Sequence, residues 1–224
     1  MEVYICFYTN EKFRVREDYL INHYQSLGYT NILPYRSEDV IVGQFYNENK
    51  EILDCQTGGG YWLWKPKIIL DSFDKMEYGD VLVYTDSGDL IITDVNLIKN
   101  YCSENDYYFS NWGGDRWQQK ICTKRDCFIL MGCDSEIYHK TPQMEAGFLI
   151  FKKTDGMINL LKDYLHYCKI KPIVDNENNI HGDNFPNWQF HRNDQSILTN
   201  LVVKHKLNFS NSLDKYVKYN IFIP

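Results

Sequence analysis

Three features of the sequence predict a single α/β domain. Short apolar, β-rich runs (Val3 to Tyr8, Val81 to Tyr84, Gly147 to Phe151) alternate with longer segments whose apolar residues recur every three or four positions. The central run ends in a polar, acidic turn, Thr85-Asp86-Ser87-Gly88-Asp89, and the carboxyl end of a central strand is where open α/β sheets bind ligands. The 224 residues contain no internal repeat, low-complexity tract or Pro/Ser linker, so one domain is expected over residues 1–224, a length one core can fill.

Each element follows from local pattern. Val3 to Tyr8 (VYICFY) reads as a first strand buried on both faces. Tyr19, Leu20, His23, Tyr24 and Leu27 then recur at helical steps, and Gly28 falls where a C-cap is expected. Ile32 to Tyr35 reads as a short strand that Pro34, lacking an N–H, confines to an edge. A helix is expected over Gln44 to Cys55, ending before Gly58-Gly59-Gly60. Pro66 suits the first turn of a third helix, with Ile68, Ile69, Leu70 and Phe73 inward. Gly79-Asp80 turns the chain into Val81-Leu82-Val83-Tyr84. Residues 94–102 are expected to be helical, Tyr107 to Phe109 extended, Lys124 to Met131 a short helix, and Gly147 to Phe151 a buried strand. Met157 to Tyr167 is amphipathic, with Ile158, Leu161, Tyr164 and Leu165 on one face. Asp175 to Asn187, rich in Asn, Asp and Gly, reads as a mobile loop. Asp194 to His205 forms the last helix, with Ile197, Leu198, Leu201 and Val202 inward.

Composition narrows the function. Thirty acidic residues against 24 basic ones leave a net charge of -6, which argues against a nucleic-acid partner. No apolar run approaches the ~20 residues that cross a bilayer, and MEVYICFYTNEKFRVRED lacks the basic start and apolar stretch of a signal peptide. The seven cysteines are odd in number and none forms a C-x-x-C pair, so they read as reduced thiols that pack like small apolar groups. A soluble cytoplasmic protein, at most peripheral to a membrane, is expected. Aromatic residues make up 16%, which fits either an aromatic core or a ring-lined cleft for sugars or bases.

Several constellations carry candidate chemistry, each beside a plainer reading. Asp86 and Asp89, in a turn eased by Gly88, can hold Mg²⁺ or Mn²⁺ against a diphosphate through hard oxygen ligands; alternatively they form an Asx-turn. Gly58-Gly59-Gly60-Tyr61-Trp62-Leu63-Trp64-Lys65-Pro66 lets backbone approach a ligand and sets Lys65 beside a helix start, or it is only a flexible turn anchored by its tryptophans. It is not a P-loop, since the G-x-x-x-x-G-K-[ST] spacing is absent. Lys124, Arg125 and Asp126 suit diphosphate or sugar recognition, or an ordinary helix start. Glu145 precedes the strand GFLIF as a further acid at a sheet edge. Asp194, in His191-Arg192-Asn193-Asp194-Gln195-Ser196, is a helix N-cap or a carboxylate able to take a proton from an acceptor hydroxyl. His191 suits phosphate or metal, or a structural place.

Taken in order, GGGYWLWKP, YTDSG, TKRD-x-F-x-x-M-G-C-D, Q-x-E-A-G-F-x-x-F-K-K and HRNDQS resemble small glycosyltransferases of the GT-A fold, of the kind found in bacterial polysaccharide clusters and large DNA viruses. The resemblance covers residues 1 to 205. It implies a Rossmann-like domain with a mixed, mostly parallel sheet flanked by helices. It also implies a nucleotide-sugar donor, expected to be a UDP-sugar, a glycan or lipid-linked acceptor, and a divalent cation, Mn²⁺ or Mg²⁺. By the same resemblance Tyr8, Thr9 and Asn10 meet the nucleotide base, and Gly60 and Lys65 the donor. Asp86, Ser87 and Gly88 hold the diphosphate with the metal on Asp86 and Asp89, and Lys124, Arg125 and Asp126 lie at phosphate or sugar. Asp194 is the expected base and Glu145 its alternative. The sequence departs from the family's Asp-x-Asp pattern: Gly88 stands at the second acidic position and Asp89 one residue late. Two other functions remain beside hexosyl transfer. A nucleotidyltransferase shares a related sheet, but YICFYTNEKF lacks its Gly-rich signature with Lys; a non-catalytic nucleotide-sugar or glycan-binding module fits the imperfect acidic motif.

Overall fold

Strands that are apolar on both faces need cover on both sides, and the computed structural model, which describes residues 1–221, supplies it. The expected domain end at residue 224 lies outside the described residues. In chain order the main elements are β1 (Val3–Thr9), α1 (Glu17–Ser26), β2 (Asn31–Arg36), α2 (Gly43–Leu53), α3 (Trp64–Phe73), β3 (Val81–Thr85), β4 (Leu90–Ile91), α4 (Val95–Glu104), β5 (Tyr107–Asn111), α5 (Arg125–Leu130), β6 (Met144–Lys152), α6 (Asp155–Cys168), α7 (Asn193–Lys204) and β7 (Val217–Lys218). The main sheet has the order β2-β1-β3-β6-β5. Pairing is parallel for β1 with β2 and β3, and antiparallel for β6 with β3 and β5, so β6 alone opposes the other four. The sheet is mixed and mostly parallel, as expected, and β2 with its Pro34 lies at an edge. β4 and β7 form a separate antiparallel ribbon.

Alternation along β1 divides the core. Cys6 and Tyr8 join Leu82, Tyr84, Leu149 and Phe151 under α3, α6 and α7, while Val3, Ile5 and Phe7 join Val81, Val83 and Ile150 under α1 and α4. β6 starts at Met144, three residues before the apolar run GFLIF, because Met144 and Glu145 pair with Asn111 and Ser110. All seven cysteines are unpaired, and among the described residues no helix is long and apolar enough to cross a membrane.

The glycine run has a conformation that periodicity does not announce. Residues 58 to 62 all have positive φ, forming one left-handed turn that includes Tyr61 (φ 50°) and Trp62 (φ 60°). A left-handed conformation costs an L-residue roughly 1–2 kcal/mol, so the three glycines carry most of a turn that would otherwise be prohibitive. Trp64 Nε1 donates to Gly58 O at 2.8 Å, and its ring stacks on Tyr8 with centroids 3.8 Å apart. At Gly60 (φ +97°) an added Cβ would lie 2.7 Å from Leu53 Cα. Gly60→Ala is therefore expected to destabilise the fold by at least ~1–3 kcal/mol through overpacking and strain. A denaturation midpoint equal to wild type would contradict that packing.

Candidate active site

The chain leaves β1 toward β2 on one side and later reaches β3 on the other, so its connections diverge at the carboxyl ends of β1 and β3. That divergence opens a crevice. Because β6 is antiparallel, its first residues come to the same edge, and Asp86 N–H donates to Gly147 O at 2.8 Å. Tyr8 near the end of β1, Asn10 just after it, the Asp86 to Asp89 turn after β3, and Glu145 in β6 line one lobe of about 490 Å³. A second lobe of about 310 Å³ is lined by Lys65, Gly147, Asp194 and Gln195. Trp62, Asp86, Glu145 and Arg192 line both.

Lys65 ties the lobes together from beneath. It is 3% exposed, with Nζ 3.2 Å from Asp194 Oδ2 and 3.5 Å from Asp86 Oδ1, and it donates to Ala146 O at 3.1 Å. Burial disfavours its charge, but Asp194 and Asp86 outweigh burial and its pKa is pushed up to about 12. Burial raises the Asp194 carboxyl, and Lys65 and a 2.7 Å hydrogen bond from Tyr164 Oη offset part of that. Tyr84 Oη donates to Asp86 Oδ1. Gln195 Oε1 accepts from Ala146 N–H at 3.2 Å, while its buried Nε2 has no partner among the described residues.

Three carboxylates surround Gly147. A Cβ there would stand 2.6 Å from Asp89 Oδ2, 3.1 Å from Glu145 Oε1 and 3.4 Å from Asp86 Oδ2. Any other residue would fill the space where these oxygens meet. Asp89 reaches it because its N–H donates to Asp86 O at 2.9 Å, a turn that brings the fourth residue back beside the first. Asp89 Oδ1 accepts from Asn220 N–H at 2.9 Å, and Glu145 accepts from Gly147 N–H and Trp112 Nε1, both at 2.9 Å. Asp86 Oδ2 and Asp89 Oδ2 receive no protein donor among the described residues. Burial foremost, then Asp86 and Glu145, push Asp89 up to about 7. Hard oxygens left uncompensated and converging in this way fit a divalent cation that sits on two carboxylates and completes its shell with water or phosphate. Among the described residues no group of three or more Asp, Glu, His or Cys side chains is disposed to hold a metal ion.

The crevice gathers Tyr8, Asn10, Lys65, Asp86, Ser87, Gly88, Asp89, Glu145 and Asp194. Five expected donor contacts lie elsewhere. Thr9 is fully buried, with Oγ1 donating to Glu17 at 2.9 Å, and Gly60 packs on Leu53, leaving Gly58 and Gly59 to face the cleft. Lys124 is buried against Asp175 at 2.6 Å, and Asp126 accepts from Ile180 and His181 N–H at 2.8 and 2.9 Å. Arg125 pairs with Asp134 at 2.6 Å. These charges are spent on the 175–191 segment and its surroundings. His191 is likewise structural: its Nδ1 accepts from Lys124 N–H and its Nε2 bonds Ile173 O, and burial lowers its pKa to about 3. Asp194 lies inside the first turn of α7 and not at its N-cap, which is Arg192.

The expectations from sequence omit Trp62, Arg192, Gln195, Tyr219 and Asn220. Arg192 has no carboxylate partner among the described residues; its guanidinium lies 4.8 Å from the Trp112 ring centroid and 6.0 Å from that of Phe190. Its neighbours in HRNDQS are the only signal the sequence offers for it. Tyr219 and Asn220 arrive through β7, and Ile221 N–H donates to Gly88 O at 2.9 Å.

No sequence-family model and no curated protein matches the chain. Solved structures do. The WbbM bifunctional glycosyltransferase aligns over 93% of this chain with a TM-score of 0.51 at 10% identity, and the alignment spans 38% of that protein. Mouse xyloside xylosyltransferase 1 aligns over 93% of this chain and 71% of its own, at 10% identity and a TM-score of 0.47. A glycosyltransferase involved in glycosylation of the major capsid of PBCV-1 aligns over 74% of this chain and 66% of its own, at 13% identity and 0.39. At such identities the likeness to WbbM establishes architecture: the chain has the mixed α/β fold of GT-A glycosyltransferases.

Proposed function

We propose that the chain transfers a sugar from a nucleoside diphosphate donor, with UDP the favoured nucleotide, to a hydroxyl of a glycan or lipid-linked acceptor. The observation that carries this reading is the pairing of opposites at the junction of the two lobes. Among the described residues Asp86 Oδ2 and Asp89 Oδ2 receive no protein donor, while Arg192 has no carboxylate partner. A diphosphate with a divalent cation satisfies both. The larger lobe, with Tyr8, Asn10 and Phe13, then takes the nucleoside, and the smaller takes the transferred sugar.

In this reading Asp86 and Asp89 would hold Mn²⁺ or Mg²⁺, which would supply positive charge beside the leaving diphosphate. Arg192 adds a fixed cation, held over two rings and needing no reorganisation as charge develops. Gln195 Nε2 donates to a hydroxyl of the transferred sugar. Asp194, with a raised pKa and an Oδ1 that receives no protein donor among the described residues, takes the proton of the attacking hydroxyl, and Lys65 holds that carboxylate in place. Glu145 is the alternative base.

A thermal-shift panel of nucleoside diphosphates and nucleotide sugars, with and without Mn²⁺, tests the donor site. A ligand at 100 times its Kd stabilises by ~2.7 kcal/mol, a melting rise of roughly 5–10 °C for a chain of this size. The Mn²⁺-dependent part is expected to vanish in Asp86→Ala. Once a donor is known, Asp194→Asn should keep the nucleotide shift and lower transfer by roughly 10²–10⁴-fold. A panel with no shift sinks the donor site and favours a glycan-binding module.

A further inference from the structure

A further cavity beside the cleft is not part of either lobe. About 530 Å³ lies between Lys124 and the segment 176–191, and it joins the smaller lobe through Phe190 and His191, which line both. Residues 175–191 contain no strand and no helix, a length of irregular chain that compact domains keep mainly for function. The segment is also tied down. Lys124 Nζ donates to Asp175 and to Glu177 O, Asp126 accepts two of its N–H groups, and Asn193 Nδ2 donates to Val174 O and Asn176 Oδ1. Arg125 N–H and Asp126 N–H donate to Asn184 Oδ1 and Asn179 Oδ1. The Lys124-Arg125-Asp126 motif thus builds a wall of this cavity in advance of any ligand.

The lining selects a ligand class. Asn176, Asn179 and Asn184 each spend Oδ1 on the protein, which leaves three Nδ2 donors without protein partners among the described residues. Trp188 and Phe190 add ring surface. The one lysine in the lining is paired with Asp175, Glu177 is held by Lys171 at 2.8 Å, and Asp183 has no ion-pair partner among the described residues. Amide donors, a carboxylate and ring faces without an unpaired cation suit sugar hydroxyls and repel an anion.

We infer that this cavity is the acceptor site and binds a neutral sugar unit, its hydroxyl reaching the smaller lobe past Phe190. The assignment of the site to an acceptor rests on the glycosyl-transfer reading; its carbohydrate chemistry does not. Saturation-transfer NMR on the full chain, with methyl glucoside, galactoside, mannoside and N-acetylglucosaminide against methyl glucuronide, tests it. At least one neutral glycoside is expected to bind, with the glucuronide at least tenfold weaker. Trp188→Ala should weaken the neutral glycoside at least fivefold. Gln189→Ala, at an exposed side chain with no protein bond among the described residues, should weaken it as well and guards against a folding defect in the first variant. Both variants should keep the nucleotide melting shift. Failure of every neutral glycoside to bind, equal binding to both variants, or a glucuronide as tight as its neutral counterpart overturns the proposal. Neutral glycoside binding that both variants weaken, with no nucleotide shift, would instead sustain the carbohydrate site and sink the donor reading.

Discussion

Lys65→Met is expected to lower the stability of the folded chain by about 3–5 kcal/mol, because it breaks a buried ion pair and leaves its partner uncompensated. Lys65 stands between Asp194 and Asp86, and the two are not equivalent. The Asp194 side chain is 5% exposed and the Asp86 side chain 37%, so water can re-solvate Asp86 but not Asp194. Most of the loss should therefore arise at Asp194, which keeps only the Tyr164 hydroxyl as a donor. Methionine fills the methylene volume of lysine, which separates the charge effect from a cavity. In urea the midpoint should fall, with a melting decrease on the order of 10 °C. The double variant Lys65→Met, Asp194→Asn should recover most of that loss, since no buried charge then remains unpaired, and the coupling between the two sites should exceed about 1 kcal/mol. A single variant within 0.5 kcal/mol of wild type would mean that Lys65 is not the counter-ion of Asp194.

That same lysine shows what the sequence conveys and what it withholds. The strands were legible because a strand covered on both faces must be apolar throughout, as Val3 to Tyr8 and Val81 to Tyr84 are. The carboxyl edge was legible because Asp86 directly follows β3. Which charges remain free was not legible, since pairing is decided by segments far apart in the chain. Lys124 and Asp126 have the composition of a phosphate site, yet their partners are Asp175, Ile180 and His181, about fifty residues on. Among the described residues Arg192 has no carboxylate partner, and nothing local to HRNDQS says so. The lateness of Asp89 relative to an Asp-x-Asp pattern disappears in three dimensions, where the 86–89 turn returns it beside Asp86. Tyr219 and Asn220 enter the cleft through a two-residue ribbon too short to leave a periodic signal.

Asp89→Asn is expected to stabilise the metal-free protein at pH 8 and to leave it unchanged below pH 4. Asp89 is pushed up to about 7 by burial and by Asp86 and Glu145, from an ordinary 3.8. Below 3.8 the group is protonated whether the chain is folded or not. As pH rises the unfolded chain loses the proton first, so stability falls between pH 3.8 and 7 and levels off above. That rise in pKa corresponds to about 4 kcal/mol. His191 acts in the opposite sense: buried and neutral with a pKa lowered to about 3, it costs stability as pH falls from about 6.5. The two effects overlap, so the wild-type profile alone is not diagnostic, and the difference between wild type and variant isolates Asp89. Asparagine retains an oxygen for Asn220 N–H and removes only the charge. In the presence of a chelator the gap should open through pH 4 to 7; adding Mn²⁺ at pH 8 should narrow it by stabilising wild type alone. A variant less stable than wild type at pH 8 would show that the carboxylate is already compensated by the protein. The expected sign bears on the proposed cation site, because an acid that weakens the fold at neutral pH, beside two others and around a glycine that leaves them room, is what a site completed by a divalent cation requires.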